Sequence, residues 1–288
     1  MTAHAYEAPA SSPAWFPRVK PFLAPVLITV ILAIGEYEYR ILESYWKTGA
    51  AILASIGLEL FLARLLTGRW PHLASAYITG ISVGILVRST HLWPYILCSL
   101  LSICSKYVLR VKGRHLWNPS NLGISVLLFL VPEAVAPLSQ QWDNKVWPVL
   151  IIFSLGSIIL YTLGRLHITL TYAVAFAALS FARSQLTENL WITELALLSA
   201  PSYQLFMFFM ITDPKTTTRT RTRQCLVAVL VAVVETLLRL GREIHAPYYA
   251  LFIVAPVTNL AEIWWDGRCV GGPPTQQKNK ESLDLQTP

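Results

Sequence analysis

A succession of long apolar runs, separated by short polar segments, constrains this chain more than any other feature of its sequence. Runs of roughly 17 to 25 apolar residues are long enough to cross a lipid bilayer as helices. The sequence therefore predicts an all-α integral membrane protein with about ten transmembrane helices. We place the spans near residues 21–36, 49–66, 72–87, 92–109, 119–135, 147–163, 166–182, 195–211, 224–240 and 246–264. Pro132 interrupts the fifth run, which predicts a short or broken helix there.

Composition favours one membrane bundle over several soluble domains. Of the 288 residues, 54% are hydrophobic and only 14% are charged, whereas soluble domains carry about a quarter charged residues. We predict a cytoplasmic tail over 1–20, a single transmembrane domain over 21–265 and a disordered cytoplasmic tail over 266–288. Ten spans would also allow two inverted five-helix halves with broken helices, a plan common among membrane transport folds.

The positions of the basic residues predict how the chain is oriented. Of the 23 lysines and arginines, 16 fall in the two tails and the loops on their side, and 7 fall in the alternate loops. Because cytoplasmic loops carry the excess of lysine and arginine, both termini should face the cytoplasm of a bacterial inner (plasma) membrane. The net charge of +7 would also suit nucleic acid. The cations punctuate apolar runs, however, so we expect membrane lipid as a partner and no nucleic acid.

Two basic stretches share a layout that predicts a ligand site. One carries Asn118-Pro119 after four cations within nine residues, and the other carries Asp213-Pro214 before four further cations. Asparagine and aspartate are favoured helix N-caps and proline a favoured first helical residue, so each dipeptide predicts a helix start on the cytoplasmic side. Two helix N-termini beside eight cations would suit a phosphate or an electron-rich ring. The alternative is that both dipeptides are only helix starts and the cations only topology signals.

The same two stretches resemble a known family. The run K-x5-K-G-R-H-x-x-N-P-S-x-x-G over 106–123 and the run F-F-M-I-T-D-P-K-T over 208–216 are similar to two motifs of the NqrB/RnfD family. Its members are membrane subunits of the sodium-pumping NADH:quinone oxidoreductase and of the Rnf ferredoxin:NAD oxidoreductase. Weaker similarity at 78–80 and 256–259 extends the resemblance over roughly 70–266. The short chain looks most like the small stand-alone RnfD-like proteins, including the UnbU type.

The resemblance implies a membrane subunit of an electron-transport complex that handles a flavin or quinone-like ligand, with ion transport as a further expectation. It implies ligand-binding roles for Lys106, Arg114, His115, Asn118, Pro119, Gly123, Thr212, Asp213, Pro214 and Thr216. Family members with covalent FMN carry an S-G-A-T motif in the outer loop after the N-P helix. The segment 131–146 contains no threonine, so we expect a non-covalent flavin (riboflavin or FMN) and no covalent one.

A single chain of this kind would not catalyse a redox cycle alone. Its four cysteines, Cys98, Cys104, Cys225 and Cys269, show neither metal-ligand spacing nor an iron–sulfur pattern, and the sequence carries no nicotinamide-binding fold. We therefore expect other electron-transfer subunits or redox proteins as partners, and no metal site. An alternative reading from another class is a permease for a small solute, such as a vitamin or natural product, on the same fold. A third is an accessory protein without a ligand.

Acidic residues inside the predicted spans are further candidates, because charge within a bilayer is costly and often functional. Glu59 in the second span and Glu235 in the ninth are candidates for an ion path. Glu235 also stands four residues before Arg239 on one helical face, which favours a structural ion pair. Glu59 has only Arg64 as a local partner in the sequence, and Glu262, near the end of the last span, is expected to reach interfacial water.

Overall fold

Helices form over most of the apolar runs, as expected for segments rich in leucine, alanine and isoleucine. The structure, a computed structural model, describes residues 16–138, 146–187 and 189–269. The α-helices of these residues are, in chain order, α1 (Phe16–Tyr39), α2 (Tyr45–Thr67), α3 (Ala74–Leu86), α4 (Trp93–Val108), α5 (Pro119–Leu130), α6 (Val146–Thr162), α7 (Leu166–Thr187), α8 (Trp191–Ala196), α9 (Pro201–Leu205), α10 (Arg221–Leu240) and α11 (Ala246–Cys269). The mostly helical class that the sequence predicts is confirmed.

Two short antiparallel ladders stand beside the helices. Strand β1 (Val87–Arg88) pairs with β4 (Ala136–Pro137), and β2 (Arg110–Val111) pairs with β3 (Arg114–His115). The basic loop before Asn118 is therefore a hairpin. Its two central residues, Lys112 and Gly113, have φ values of 50° and 78°. A hairpin turn of this kind needs both central residues in the left-handed region, which the glycine adopts at no steric cost.

The helix start predicted at Asn118-Pro119 is confirmed. Asn118 precedes α5 in an extended conformation, and its Oδ1 accepts the backbone N–H of Asn121 at 3.1 Å. Pro119 occupies the first helical position, where a missing N–H costs nothing. The helix ends at Leu130 after 12 residues, which agrees with the short fifth helix predicted from Pro132.

The helix start predicted at Asp213-Pro214 is wrong. Helix α10 begins at Arg221, and its N-cap is Thr220. Asp213 instead closes a turn, since its Oδ1 accepts the Lys215 N–H at 3.1 Å and its backbone oxygen accepts the Thr217 N–H at 3.1 Å. Aspartate before proline serves equally well in such a side-chain turn.

The expectation of one continuous span over 195–211 is also wrong. The chain there forms α8, a 3₁₀ turn (Leu197–Ser199), α9 and a π-helical turn (Phe206–Met210). Pro201 explains the first break, because it lacks an N–H and forces the preceding residue away from helical angles. Ala200 is accordingly extended, with φ −65° and ψ 145°.

Helical structure extends into both segments predicted as tails. Helix α1 begins inside the segment 1–20, and α11 continues four residues beyond 265. The remaining tail residues, 1–15 and 270–288, lie outside the described residues, as do 139–145 of the predicted outer loop.

Helix packing follows the same order in the two halves of the chain. In the first half α2 packs against α3 and α4, and α4 packs against α5; in the second, α7 packs against α8 and α10, and α10 packs against α11. Close approach needs glycine at two of these contacts. A Cβ on Gly80 of α3 would lie 2.5 Å from the Ile52 Cα of α2, and one on Gly123 of α5 would lie 2.7 Å from the Cys98 carbonyl oxygen of α4.

Two helices among the described residues, α2 and α7, are both long and apolar enough to cross a membrane. Three shorter apolar helices accompany them: α3, α5 and the Val149–Thr162 part of α6. Helix α10 is long, but its 20 residues include three arginines and one glutamate. Helix length and composition therefore do not by themselves establish ten spans.

Candidate functional site

A cavity of about 550 Å³ brings the two predicted motifs together. We call it the motif cavity. Its walls include Ile78, Thr79, Asn118, Pro119, Thr212 and Asp213, which all belong to the stretches that carry the family resemblance. Aromatic and aliphatic surface is added by Phe208, Phe209 and Leu160. The residues that carry the family resemblance thus come from three segments far apart in the sequence, and the fold places them around one cavity.

A direct hydrogen bond joins the two motifs. The Asn118 Nδ2 atom donates to the Asp213 Oδ2 atom at 3.3 Å, and lies 3.5 Å from the carbonyl oxygens of Phe209 and Met210. Since its Oδ1 atom caps α5, both polar atoms of the buried Asn118 side chain are hydrogen-bonded. It fixes the start of α5 relative to the turn at Asp213.

The π-helical turn before Asp213 frees carbonyl groups that side chains then satisfy. Thr212 donates its hydroxyl to the Phe208 oxygen at 2.7 Å. Arg165, from the loop between α6 and α7, donates to the Thr217 hydroxyl at 2.9 Å and to the Thr212 carbonyl at 3.4 Å. Turns of the π type occur often at functional sites. Here the turn displays Phe208 and Phe209 to the motif cavity.

Asp213 has an altered proton affinity. Burial raises the pKa of its carboxyl, and this effect outweighs the backbone N–H of Lys215 and the charges of Lys215 and Arg165, which favour the ionised form. The carboxyl borders the motif cavity, and its raised pKa favours the protonated form there relative to an exposed aspartate.

Glu262 of α11 ties three segments around the site. Its carboxylate pairs with Arg114 of β3, accepts the Arg219 backbone N–H at 3.0 Å and pairs with Arg223 of α10 at 3.0 Å. The Glu262 side chain is only 1% exposed. The expectation that it reaches interfacial water is therefore wrong. Its partners come from distant parts of the chain, so the residues around Glu262 did not indicate them.

Asn259, one helical turn before Glu262, has a similar role. Its Nδ2 atom donates to the carbonyl oxygens of Leu116 at 3.1 Å and Thr216 at 2.7 Å, and its Oδ1 accepts from Arg114 at 3.3 Å. Thr216 is thus held in the turn and Arg114 in the hairpin. Both predicted ligand residues have structural partners.

A second, more polar depression of about 520 Å³ adjoins the motif cavity. We call it the polar cleft. It is bordered by Arg114, His115, Arg165, Lys215, Thr218 and Arg219, and it shares Arg165, Pro214 and Lys215 with the motif cavity. Burial, together with the cations Arg110, Lys215 and Lys106, lowers the pKa of His115 to about 4, so its imidazole is neutral at pH 7.

Two other predicted ligand residues lie away from both spaces. The Lys106 ammonium pairs with Glu59 at 3.0 Å, and the Tyr107 hydroxyl donates to the same carboxylate at 3.1 Å. Lys106 is therefore the partner that Glu59 lacked in the local sequence. Gly123 serves the contact between α4 and α5 described above.

Glu235, the second ion-path candidate, lies in a buried cluster at the other end of the molecule. Its carboxylate accepts from Arg239 at 3.0 Å, which confirms the predicted pair, and also from the hydroxyls of Tyr172 and Tyr203. Tyr203 and Arg239 border a separate cavity of about 370 Å³ next to β4. The tyrosine partners come from α7 and α9, and no local pattern pointed to them.

Sequence reasoning missed Arg165, Thr218, Asn259 and Glu262 at the site. The only available signal was positional, since Arg165 and Thr218 follow apolar runs on the predicted cytoplasmic side and Asn259 lies in a weakly similar segment. Within the described ranges, no group of three His, Cys, Asp or Glu side chains is placed to hold a metal ion. No protein-family model matches this chain, and no curated protein matches it at a significant level of sequence similarity.

Proposed function

We propose that this chain is a membrane-embedded subunit of the NqrB/RnfD type that binds a flavin or quinone-like ring in the motif cavity. One observation carries the proposal. The two motifs that resemble the family line a single cavity and are joined by the Asn118–Asp213 hydrogen bond. The cap of α5 and the turn at Asp213 are far apart in the sequence, so their contact supports a shared role at this cavity.

The character of the motif cavity suits a flat ring. Its volume of about 550 Å³ lies in the usual range for small-molecule sites, about 300–1,000 Å³. Phe208, Phe209 and Ile78 offer apolar faces, while the Arg165 guanidinium offers hydrogen-bond donors at the edge. A flavin or quinone would supply reversible acceptance of electrons, and Asp213 can hold a proton beside it.

Exposed apolar side chains support insertion in a membrane. Leu53, Phe129, Leu150, Val174 and Val257, on five different helices, are all exposed. Soluble monomers rarely expose contiguous apolar patches larger than a few hundred Å². We propose ten spans in two inverted halves; the contacts of α2 with α4 and of α4 with α5 have counterparts in those of α7 with α10 and of α10 with α11. Short α3 and α5 fit this plan, because irregular backbone is tolerated at membrane depth where protein covers it.

The decisive experiment is purification of the full chain in mild detergent, followed by absorption spectra and titration with riboflavin and a short-chain quinone. We expect a flavin band or binding that Asn118→Ala and Asp213→Ala each weaken by about tenfold. Thr220→Ala is the matched control, because Thr220 caps α10 without bordering the motif cavity. All three changes remove a cap or turn acceptor, at a stability cost of about 1 kcal/mol.

Equal binding by all three variants, or no binding by the wild type, would refute the ring site. Colourless protein that accumulates a solute in vesicles would favour the permease instead. Orientation can be tested separately with single cysteines at Lys112, in the β2–β3 turn, and at Glu133, which is exposed between α5 and β4. Impermeant reagent should label position 133 from outside the cell and position 112 only after lysis. The reverse pattern would overturn the proposed topology.

A further inference from the structure

We propose that the polar cleft binds a phosphate monoester, and that the ring ligand of the motif cavity carries this phosphate. The first part stands on the cleft alone, and the second rests on the function proposed above. The two spaces adjoin at Arg165, Pro214 and Lys215. A molecule with an aromatic ring and a phosphate arm can therefore occupy both.

The cleft retains positive charge that the described residues neutralise only in part. Arg114 is balanced by Glu262, but Arg165 donates only to the neutral oxygens of Thr212 and Thr217. Lys215 is exposed. Among the described residues that border the cleft, none is acidic.

Arg219 adds a weakly held third cation. Its side chain is 69% exposed and lies 3.8 Å from Asp266, and an ion pair so exposed contributes little. Asp213 interacts electrostatically with Lys215 and Arg165, but its carboxyl accepts from Asn118 and borders the motif cavity, not the polar cleft. Three cations thus face a concave space, the arrangement that recognises a phosphate dianion.

Two buried polar atoms beside the cleft lack hydrogen-bond partners among the described residues. Thr218 is only 4% exposed, and its Oγ1 has no partner; the Nδ1 of His115 has none either. Buried polar groups in folded proteins are nearly always hydrogen-bonded. A phosphate oxygen would accept from the Thr218 hydroxyl, and another would accept from the neutral His115 imidazole. Both donors border the cleft together with the cations.

The first test uses inorganic phosphate and the full-length protein in detergent, with binding followed by calorimetry and by thermal shift. We expect wild-type binding that Lys215→Gln and Thr218→Val each weaken by about tenfold. Lys112→Gln is the matched charge control, since Lys112 is exposed in the same basic region but does not border the cleft. Absence of phosphate binding by the wild type, or equal loss in Lys112→Gln, would overturn the phosphate site.

The second test compares FMN with riboflavin, which differ by the phosphate alone. We expect FMN to bind at least about tenfold more tightly. Arg219→Gln and Thr218→Val, which border the polar cleft but not the motif cavity, should abolish the difference while riboflavin binding stays unchanged. Phosphate binding with no preference for FMN would overturn the link to the ring ligand; displacement of phosphate by phosphatidic acid in micelles would then identify a lipid headgroup as its source. Phosphate binding without any flavin binding would leave the cleft site standing and refute the proposed function alone.

Discussion

Removing the charge of Glu262 should destabilise both the fold and the site. In Glu262→Gln the side chain keeps its size and one carbonyl oxygen but loses the negative charge that Arg114 and Arg223 share. The backbone N–H of Arg219 also donates to this carboxylate. The change therefore loosens the β2–β3 hairpin, the loop after Asp213 and the start of α10 at once.

The size of the effect follows from burial. Glu262 is 1% exposed and Arg114 15% exposed, and breaking a buried pair from one side costs about 3–5 kcal/mol. Arg114 keeps hydrogen bonds to Thr217 and Asn259, so we expect the lower end, about 3 kcal/mol. This is more than about a hundredfold in the unfolding equilibrium. Arg223→Gln should cost much less, because Arg223 is 36% exposed and also reaches Asp266.

The assay is a double-mutant cycle on detergent-solubilised protein, with unfolding followed by tryptophan fluorescence in denaturant. Arg114→Gln, Glu262→Gln and the double variant should give a coupling energy of about 2 kcal/mol. The double variant should be little worse than Glu262→Gln alone, because neither charge is then left buried without its partner. Additive effects, or a loss for Glu262→Gln no larger than that for Arg223→Gln, would refute the role of this carboxylate as the tie between the three segments.

Three further changes test other parts of the structure. Gly123→Ala should destabilise the fold by about 1–3 kcal/mol, because its Cβ would lie 2.7 Å from a carbonyl oxygen of α4. Gly57→Ala is the control and should be neutral or slightly stabilising, since a Cβ there has nothing within 4 Å. Equal effects of the two changes in unfolding assays would contradict the close contact. Glu235→Gln should cost about 3–5 kcal/mol, since its arginine partner stays buried; an unchanged unfolding midpoint with lost ion transport would instead favour an ion path. The folded-state pKa of His115 is lowered to about 4, against about 6.5 when unfolded. Its contribution to stability is thus present above about pH 6.5 and lost as the pH falls towards 4. The unfolding midpoint of the wild type should therefore fall more steeply over this pH range than that of His115→Asn. Parallel curves of midpoint against pH would contradict this.

Local patterns in the sequence predicted those features that depend on neighbouring residues. The cap at Asn118, the first-turn proline after it and the pair between Glu235 and Arg239 each need partners within a few positions. All three are present in the structure. Glu59 shows the limit of such reasoning, because Lys106 reaches it from the neighbouring helix α4.

The same limit explains the error at Asp213. An aspartate followed by proline can cap a helix or close a side-chain turn, and the local sequence permits both. The remote partners decide, since the Asn118 amide binds one carboxylate oxygen and the Lys215 N–H binds the other. Neither Asn118 nor the fold that brings it near is visible from the residues around Asp213.

The errors at 195–211 and at Asp213 fall in one continuous region, and that region contributes to the candidate site. Backbone that leaves regular helix exposes carbonyl groups, and within a membrane these need partners from the protein. Asn118 lies within reach of the Met210 oxygen, Asn259 donates to that of Thr216 and Gln224 donates to that of Thr218 at 2.7 Å. Polar side chains thus lie around this irregular segment because its carbonyl groups need hydrogen-bond donors. Under the proposed function, a ligand in the motif cavity would lie beside backbone that these side chains hold in place.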